Sequence, residues 1–211
     1  MNQPPARPSK RSAKAEATKA AILASARRAF AEQGYEAAGL RGIAASAGVT
    51  AMMVNRYFGS KEALFGEVVA DSMRDPVIFS ADNLAAPDLA RTLAEALVGL
   101  TGADARPLDG FLILFRSTSN TTAARIARER IASAHQATAA GAVVGDHAAE
   151  RAALLLSLVA GVQMMRQMMQ LAPLVEAAPA LLADLLAPVI AEILQRPADG
   201  PGASARPPLR R

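Results

Sequence analysis

Apolar positions recur at helical spacing along most of this chain. Ile22, Ala26, Ala29 and Phe30 share one face of a first helix over about 16–33, and Gly34 supplies its stop. Two short helices follow, at about 40–47 and 50–58, with Ala47-Gly48-Val49 between them. Ser60 is a good N-cap for a fourth helix, Glu62 suits its first turn, and the helix should end before Pro76. "PVIFSADNLAAPD" reads as a linker. Leu89, Leu93, Ala96, Leu97 and Leu100 then mark an amphipathic helix closed by Gly102. Two more helices meet near Asn120, and a long one covers about 146–171. A last helix covers about 176–195, with Pro188 kinking or restarting it. No segment alternates as a strand would, so the pattern predicts an all-α fold.

The spacing around the second and third helices is more informative. Ala44, Gly48 and Val54 stand four and six residues apart. A small residue at 44 lets two helices cross closely, and Gly48 can take positive φ in a tight turn. Val54 faces inward with Ile43 and Val49, and Thr50 caps the second helix of the pair. A helix-turn-helix of this kind, about 39–58, lays its second helix in the major groove of DNA.

Composition supports close helical packing. Hydrophobic residues make up 52% of the chain but aromatics only 4%, which favours helices meeting through small side chains. The longest apolar run, Ala152 to Met165, is shorter than the roughly 20 residues that span a bilayer, so it reads as a buried helix. The basic, Pro-rich start "MNQPPARPSKRSAK" has no apolar stretch behind it and does not resemble a secretory signal. Cysteine is absent, which excludes disulfides, thiolate metal sites and a cysteine nucleophile, and fits a cytoplasmic location. Charge is uneven: residues 1–61 carry ten Lys/Arg against three acids, whereas 62–211 carry thirteen against sixteen. A basic first third on a mildly acidic body suggests a polyanion-binding module joined to a partner domain.

At this point "ILASARRAFAEQGYEAAGLRGIAASAGVTAMMVNRYFGSKEALF", residues 22–65, resembles the TetR family of bacterial transcriptional regulators. The matching features are the Ile-Leu pair, Ala and Phe of helix 1, Gly-Tyr, Ile-Ala before the turn and Gly-Val after Ala. An aromatic pair and a Ser-Lys-Glu-x-Leu helix start complete the match. The resemblance implies that Thr50, Asn55, Tyr57 and Lys61 contact phosphates, and each carries a group able to donate to phosphate oxygens. It places Arg41 where a base or phosphate can be reached, and Ala51, Met52 and Met53 in the main base-facing stretch. Those three offer apolar contact to a thymine methyl. Arg56, on the exposed face of the same helix, suits bidentate contact with guanine. Three positions depart from the family pattern. Gly39 replaces the usual Thr or Ser cap of helix 2, and Gly42 inside that helix costs about 1 kcal/mol against Ala, so helix 2 should be loosely held. Asn55 stands where the family commonly has Tyr.

The resulting domain plan is a flexible basic arm over 1–15 and a DNA-binding domain over 16–76. A helical effector-binding and dimerisation domain follows over 77–196, and a disordered tail over 197–211. The expected homodimer interface combines the stripe Leu154, Leu158, Gly161 and Met165 with the last-helix surface of Leu182, Leu185, Leu186, Val189, Ile193 and Leu194. The resemblance implies an effector pocket in the second domain. Candidates are Phe111, Leu112, Phe115, Met164 and Met168 as apolar lining, with Arg116, His135, Gln163 and Arg166 as polar contacts. No metal site, cofactor motif or catalytic constellation is expected. The expected function is a sequence-specific, non-enzymatic transcriptional regulator, a repressor binding a palindromic operator and relieved by an unknown small molecule. A helical enzyme or carrier without a DNA role, and a non-specific architectural DNA-binding protein, are the alternatives.

Overall fold

The computed structural model describes residues 10–102, 105 and 108–195. Among them every regular element is helical. The helices are α1 (Lys10–Ala37), α2 (Leu40–Ser46), α3 (Ala51–Phe58), α4 (Lys61–Ser72), α5 (Ala81–Leu84) and α6 (Leu89–Leu100). They continue with α7 (Asp109–Ser117), α8 (Thr121–Ile131), α9 (Ala137–Gly141), α10 (Ala148–Gln163), α11 (Ala172–Val175) and α12 (Pro179–Leu194). π-helical turns at Ala132–Gln136 and Met164–Met168 extend α8 and α10. Two compact units result: α1–α4 with α7 and α8, and α5, α6 with α9–α12.

In the first unit, α1 buries Ile22, Ala26 and Phe30, one residue per helical turn. Gly34, at φ 73 and ψ 177, breaks the helix where the sequence predicted a stop. Its missing side chain matters as much as its φ, because a Cβ there would lie 2.5 Å from the Arg116 carbonyl oxygen in α7. Phe30, Tyr35 and Phe65 then form an aromatic core: Phe65 meets Phe30 and Tyr35 edge-on, with ring centroids 5.1 and 5.0 Å apart.

Polar groups tie α7 to this core at both ends. Arg27 pairs with Asp109 at 3.0 Å and with Asp71 at 3.6 Å. The Arg116 guanidinium donates to the carbonyls of Ala31 and Glu32, satisfying the last turn of α1 before Gly34. The buried Tyr35 N–H donates to Ser117 Oγ at 3.1 Å. By packing, α7 and α8 go with α1–α4, whereas the sequence-based plan put them in the domain over 77–196. The basic arm is also shorter than expected, since α1 begins at Lys10; residues 1–9 and the tail over 197–211 lie outside the described residues.

The second unit is built around α6 and α12. Leu93, Ala94, Leu97 and Val98 face Leu182, Ala183, Ile190 and Leu194, all nearly or fully buried. Ile78 and Phe79, read as linker, are buried in the same core, and Ser80 caps α5 by accepting from the Asn83 N–H. Arg91 of α6 pairs with Glu95 and with Asp184 of α12, and these hydrogen bonds push its guanidinium pKa further up. Pro188 lies inside α12 without ending it.

The buried-helix reading of 152–165 needs correction. Ala148–Met168 is long and apolar enough to cross a membrane by length and composition, yet one face leaves Leu154 60% exposed. The dimer surface predicted on the last helix splits in two. Leu182 and Leu194 turn into the unit's own core, whereas Leu185 and Val189 stay exposed, joined by Leu181. Helical periodicity explains it: 182, 186, 190 and 194 share one stripe, and 181, 185 and 189 the next.

Candidate nucleic-acid interface

The turn between α2 and α3 is closed by its backbone. Val49 N–H donates to Ala44 O at 3.0 Å and Gly48 N–H to Ala45 O at 3.1 Å, with Gly48 at φ 68. This pairing of bonds around a left-handed glycine terminates α2 and turns the chain directly into α3. Thr50 then caps α3, its Oγ1 accepting from the Met53 N–H at 3.4 Å. Accepting leaves the hydroxyl proton of Thr50 available to a phosphate.

Val54 and Phe58 bury one face of α3 against the buried Ile43 and Ala44 of α2, so the opposite face is fixed in orientation. That face presents Met52, 81% exposed, together with exposed Asn55 and Arg56. Residues 52, 55 and 56 are one helical turn apart and share a surface. Ala51, Met53 and Tyr57 are half-buried at its edges, and Arg41 is exposed on α2. Helix α2 has no side-chain cap at Gly39, as the departure there predicted, but it is held at its centre by Ser25 Oγ donating to Ile43 O at 2.8 Å. The space left by Gly39 and Gly42 opens a cleft of ≈ 360 Å³ toward Ser25, Arg28, Glu32 and Gln33 of α1.

Lys61 opens α4. Its ammonium donates to the Glu36 carbonyl at 3.1 Å and lies 4.7 Å from the Tyr35 ring centroid. Beside it, Tyr35 Oη donates to Glu62 Oε1 at 3.0 Å. Burial, then this bond and the charge of Glu62, push the Tyr35 phenol up to about 12. The Glu62 carboxyl is held below its ordinary value by its own backbone N–H and by the Ser60 and Tyr35 hydroxyls. Lys19 of α1 places a further cation against α3, 5.9 Å from the Phe58 ring centroid. Its sequence spacing gives no sign of this, since the contact depends on how α1 crosses α3.

The residues predicted to line an effector pocket are divided between the units. Phe111 and Phe115 stack at 6.1 Å on α7 in the first unit, with Arg116 spent on α1 carbonyls. His135, Gln163, Met164, Arg166 and Met168 lie in the second unit. There burial lowers the His135 pKa. Arg166 is buried and donates to Leu174 O at 3.0 Å, Val98 O at 2.8 Å and Thr101 Oγ1 at 2.5 Å, and burial lowers its pKa. Arg116 and Arg166 therefore both satisfy helix ends, a role the sequence did not predict.

Comparison with known proteins divides the chain by sequence rather than by packing, and its C-terminal match includes α7 and α8. A model of bacterial regulatory proteins of the tetR family matches residues 22–68, and one of the tetracyclin repressor-like C-terminal domain matches 87–194. No curated protein sequence matches the chain. Among solved structures, a TetR-family regulator from Streptomyces coelicolor A3 is 23% identical, with a TM-score of 0.56 over 89% of this chain and 97% of that one. NalD, the secondary repressor of the MexAB-OprM multidrug efflux pump in Pseudomonas aeruginosa, is 22% identical, with a TM-score of 0.60 over 87% and 98%. The multidrug binding protein EbrR, complexed with imidazole, is 19% identical, with a TM-score of 0.57 over 86% and 92%.

Proposed function

The chain belongs to the TetR family of bacterial regulatory proteins, and from that premise we propose how it reads DNA and what releases it. It is a DNA-binding transcriptional regulator. The observation that carries the reading is the outer face of α3, where a largely exposed methionine stands beside Asn55 and Arg56 on a helix locked from behind by Val54 and Phe58. Single exposed apolar side chains are common on protein surfaces; Met52 counts because of its place, on the α3 face turned away from the core, where thymine methyl groups in a major groove offer it a partner. Met52 reads thymines near the start of α3, Arg56 reads guanine, and Arg41 reaches a base or phosphate. Thr50, Asn55, Tyr57 and Lys61 fix the register on the backbone. Ala51 and Met53 flank the reading surface.

Two copies act together, through the exposed residues Leu154 and Met165 of the α10 segment and Leu181, Leu185 and Val189 of α12. The pair presents two α3 helices to the halves of a palindromic operator. A small molecule bound by the domain over 77–196 shifts the pair away from the DNA-competent spacing, so the protein is a repressor relieved by its effector. Support comes from the neighbours described as a repressor of an efflux pump and as a multidrug binding protein. The protein acts in the cytoplasm and performs no chemistry of its own.

Footprinting on the DNA upstream of its own gene tests the reading. A protected, two-fold symmetric site is expected, bound more tightly than random DNA at the same salt concentration. Equal affinity for the two would leave only non-specific binding.

A further inference from the structure

Lys61 is restrained by residues outside the set proposed to contact DNA. The turn after Gly34 supplies both of its contacts: the Glu36 carbonyl at 3.1 Å and the Tyr35 ring at 4.7 Å. That turn is in turn gripped by the corner between α7 and α8. Ser117 Oγ accepts from the buried Tyr35 N–H at 3.1 Å. Asn120 Nδ2 donates to the Glu36 carboxylate at 2.6 Å, while its Oδ1 caps α8 by accepting from the Ala123 N–H at 2.9 Å.

We propose that the α7–α8 corner, through Ser117 and Asn120, positions the Lys61 ammonium for the DNA backbone. The proposal rests on the reading of Lys61 as a phosphate donor. An ammonium has three donor hydrogens and no acceptor. One is used on Glu36 O, and the Tyr35 face attracts the cation without consuming a donor, so two remain for phosphate oxygens. A lysine with four free torsions loses rotamer freedom when it binds; one already held at the N-terminus of α4 has lost much of it beforehand. Asn120 serves two elements at once, the start of α8 and the Glu36 side chain, so a change in the corner reaches Lys61 through two hydrogen-bonded residues. Ser117 and Asn120 are positioning residues.

The test is a double-mutant cycle on the full-length protein, with a random-sequence duplex as probe at one low salt concentration, because phosphate contacts are read on any sequence. Asn120→Ser keeps an N-cap but is too short to reach Glu36. It should weaken binding by roughly three- to tenfold in the natural background. In a Lys61→Ala background it should have no further effect. Asn120→Thr, a second capping residue, should give the same pattern. An equal loss in both backgrounds would mean that the corner acts on the fold in general, and no loss in either would mean that it does not act; each overturns the proposal while leaving DNA binding intact. If Lys61→Ala alone changes nothing, the reading of Lys61 as a phosphate donor falls with it.

Discussion

Three glycines in the first unit look alike in the sequence and should behave differently. Gly34 combines a left-handed φ with a neighbouring backbone oxygen only 2.5 Å from where a Cβ would sit. Gly34→Ala should therefore cost about 2–4 kcal/mol, because α7 must move to admit it. Gly48 has the φ but open space around it, so Gly48→Ala should cost about 1 kcal/mol. Gly42 is helical with nothing within 4 Å of an added Cβ, and Gly42→Ala should stabilise by up to about 1 kcal/mol. Urea titrations of the three variants check the order. Tyr35 gives a pH signature at the same scale. Its phenol titrates near 12 in the folded chain and near 10 when solvated in the unfolded one, so the folded state favours the neutral form. The associated stability is present below pH 10 and is lost as pH rises toward 12, by about 2–3 kcal/mol. Tyr35→Phe should remove that alkaline loss, and a stability curve across this range that matches the natural protein would contradict the assignment.

Among the elements, α12 separates self-packing from association most clearly. Ile190 is 1% exposed and Leu185 is 61% exposed, although both are aliphatic residues of one helix. Ile190→Ala should lower stability by about 2–5 kcal/mol. Leu185→Glu should leave the fold of a single chain intact and shift the protein toward monomers in sedimentation velocity runs. A dimer that survives Leu185→Glu would place the interface elsewhere. This contrast also shows how far the sequence could be read. The periodicity that made α12 amphipathic was legible, but which of two adjacent stripes faces inward depends on α6, a distant partner. The same limit explains α7 and α8. Their helicity is visible in "DGFLILFRS" and "TTAARIARERI", yet the docking of α7 on α1 rests on Arg27, Gly34 and Arg116 meeting residues more than eighty positions away. The helix-turn-helix was readable because its determinants are local. Gly48, Thr50 and Val54 act on residues within eleven positions of themselves, so spacing alone carried the geometry.

For the whole molecule, the proposed interface makes a quantitative statement about salt. Each phosphate neutralised by a cation releases condensed counterions, and log K falls against log salt with a slope of about −0.9 per contact. If Arg41 and Lys61 of each protomer both meet phosphates, a dimer makes roughly four such contacts and the slope should be about −4. Two-fold symmetry doubles every substitution. Lys61→Ala should make the slope shallower by about 2 rather than 1, and should do so equally on operator and random duplexes, because a phosphate contact carries no sequence information. Leu185→Glu should roughly halve the slope without touching any DNA-facing residue, since a monomer brings only one α3 to the helix. A slope that Lys61→Ala shifts by 1 in a protein that sediments as a dimer would mean that the two protomers do not contact DNA equivalently. The symmetric, two-half-site arrangement would then have to be abandoned even though DNA binding itself stood.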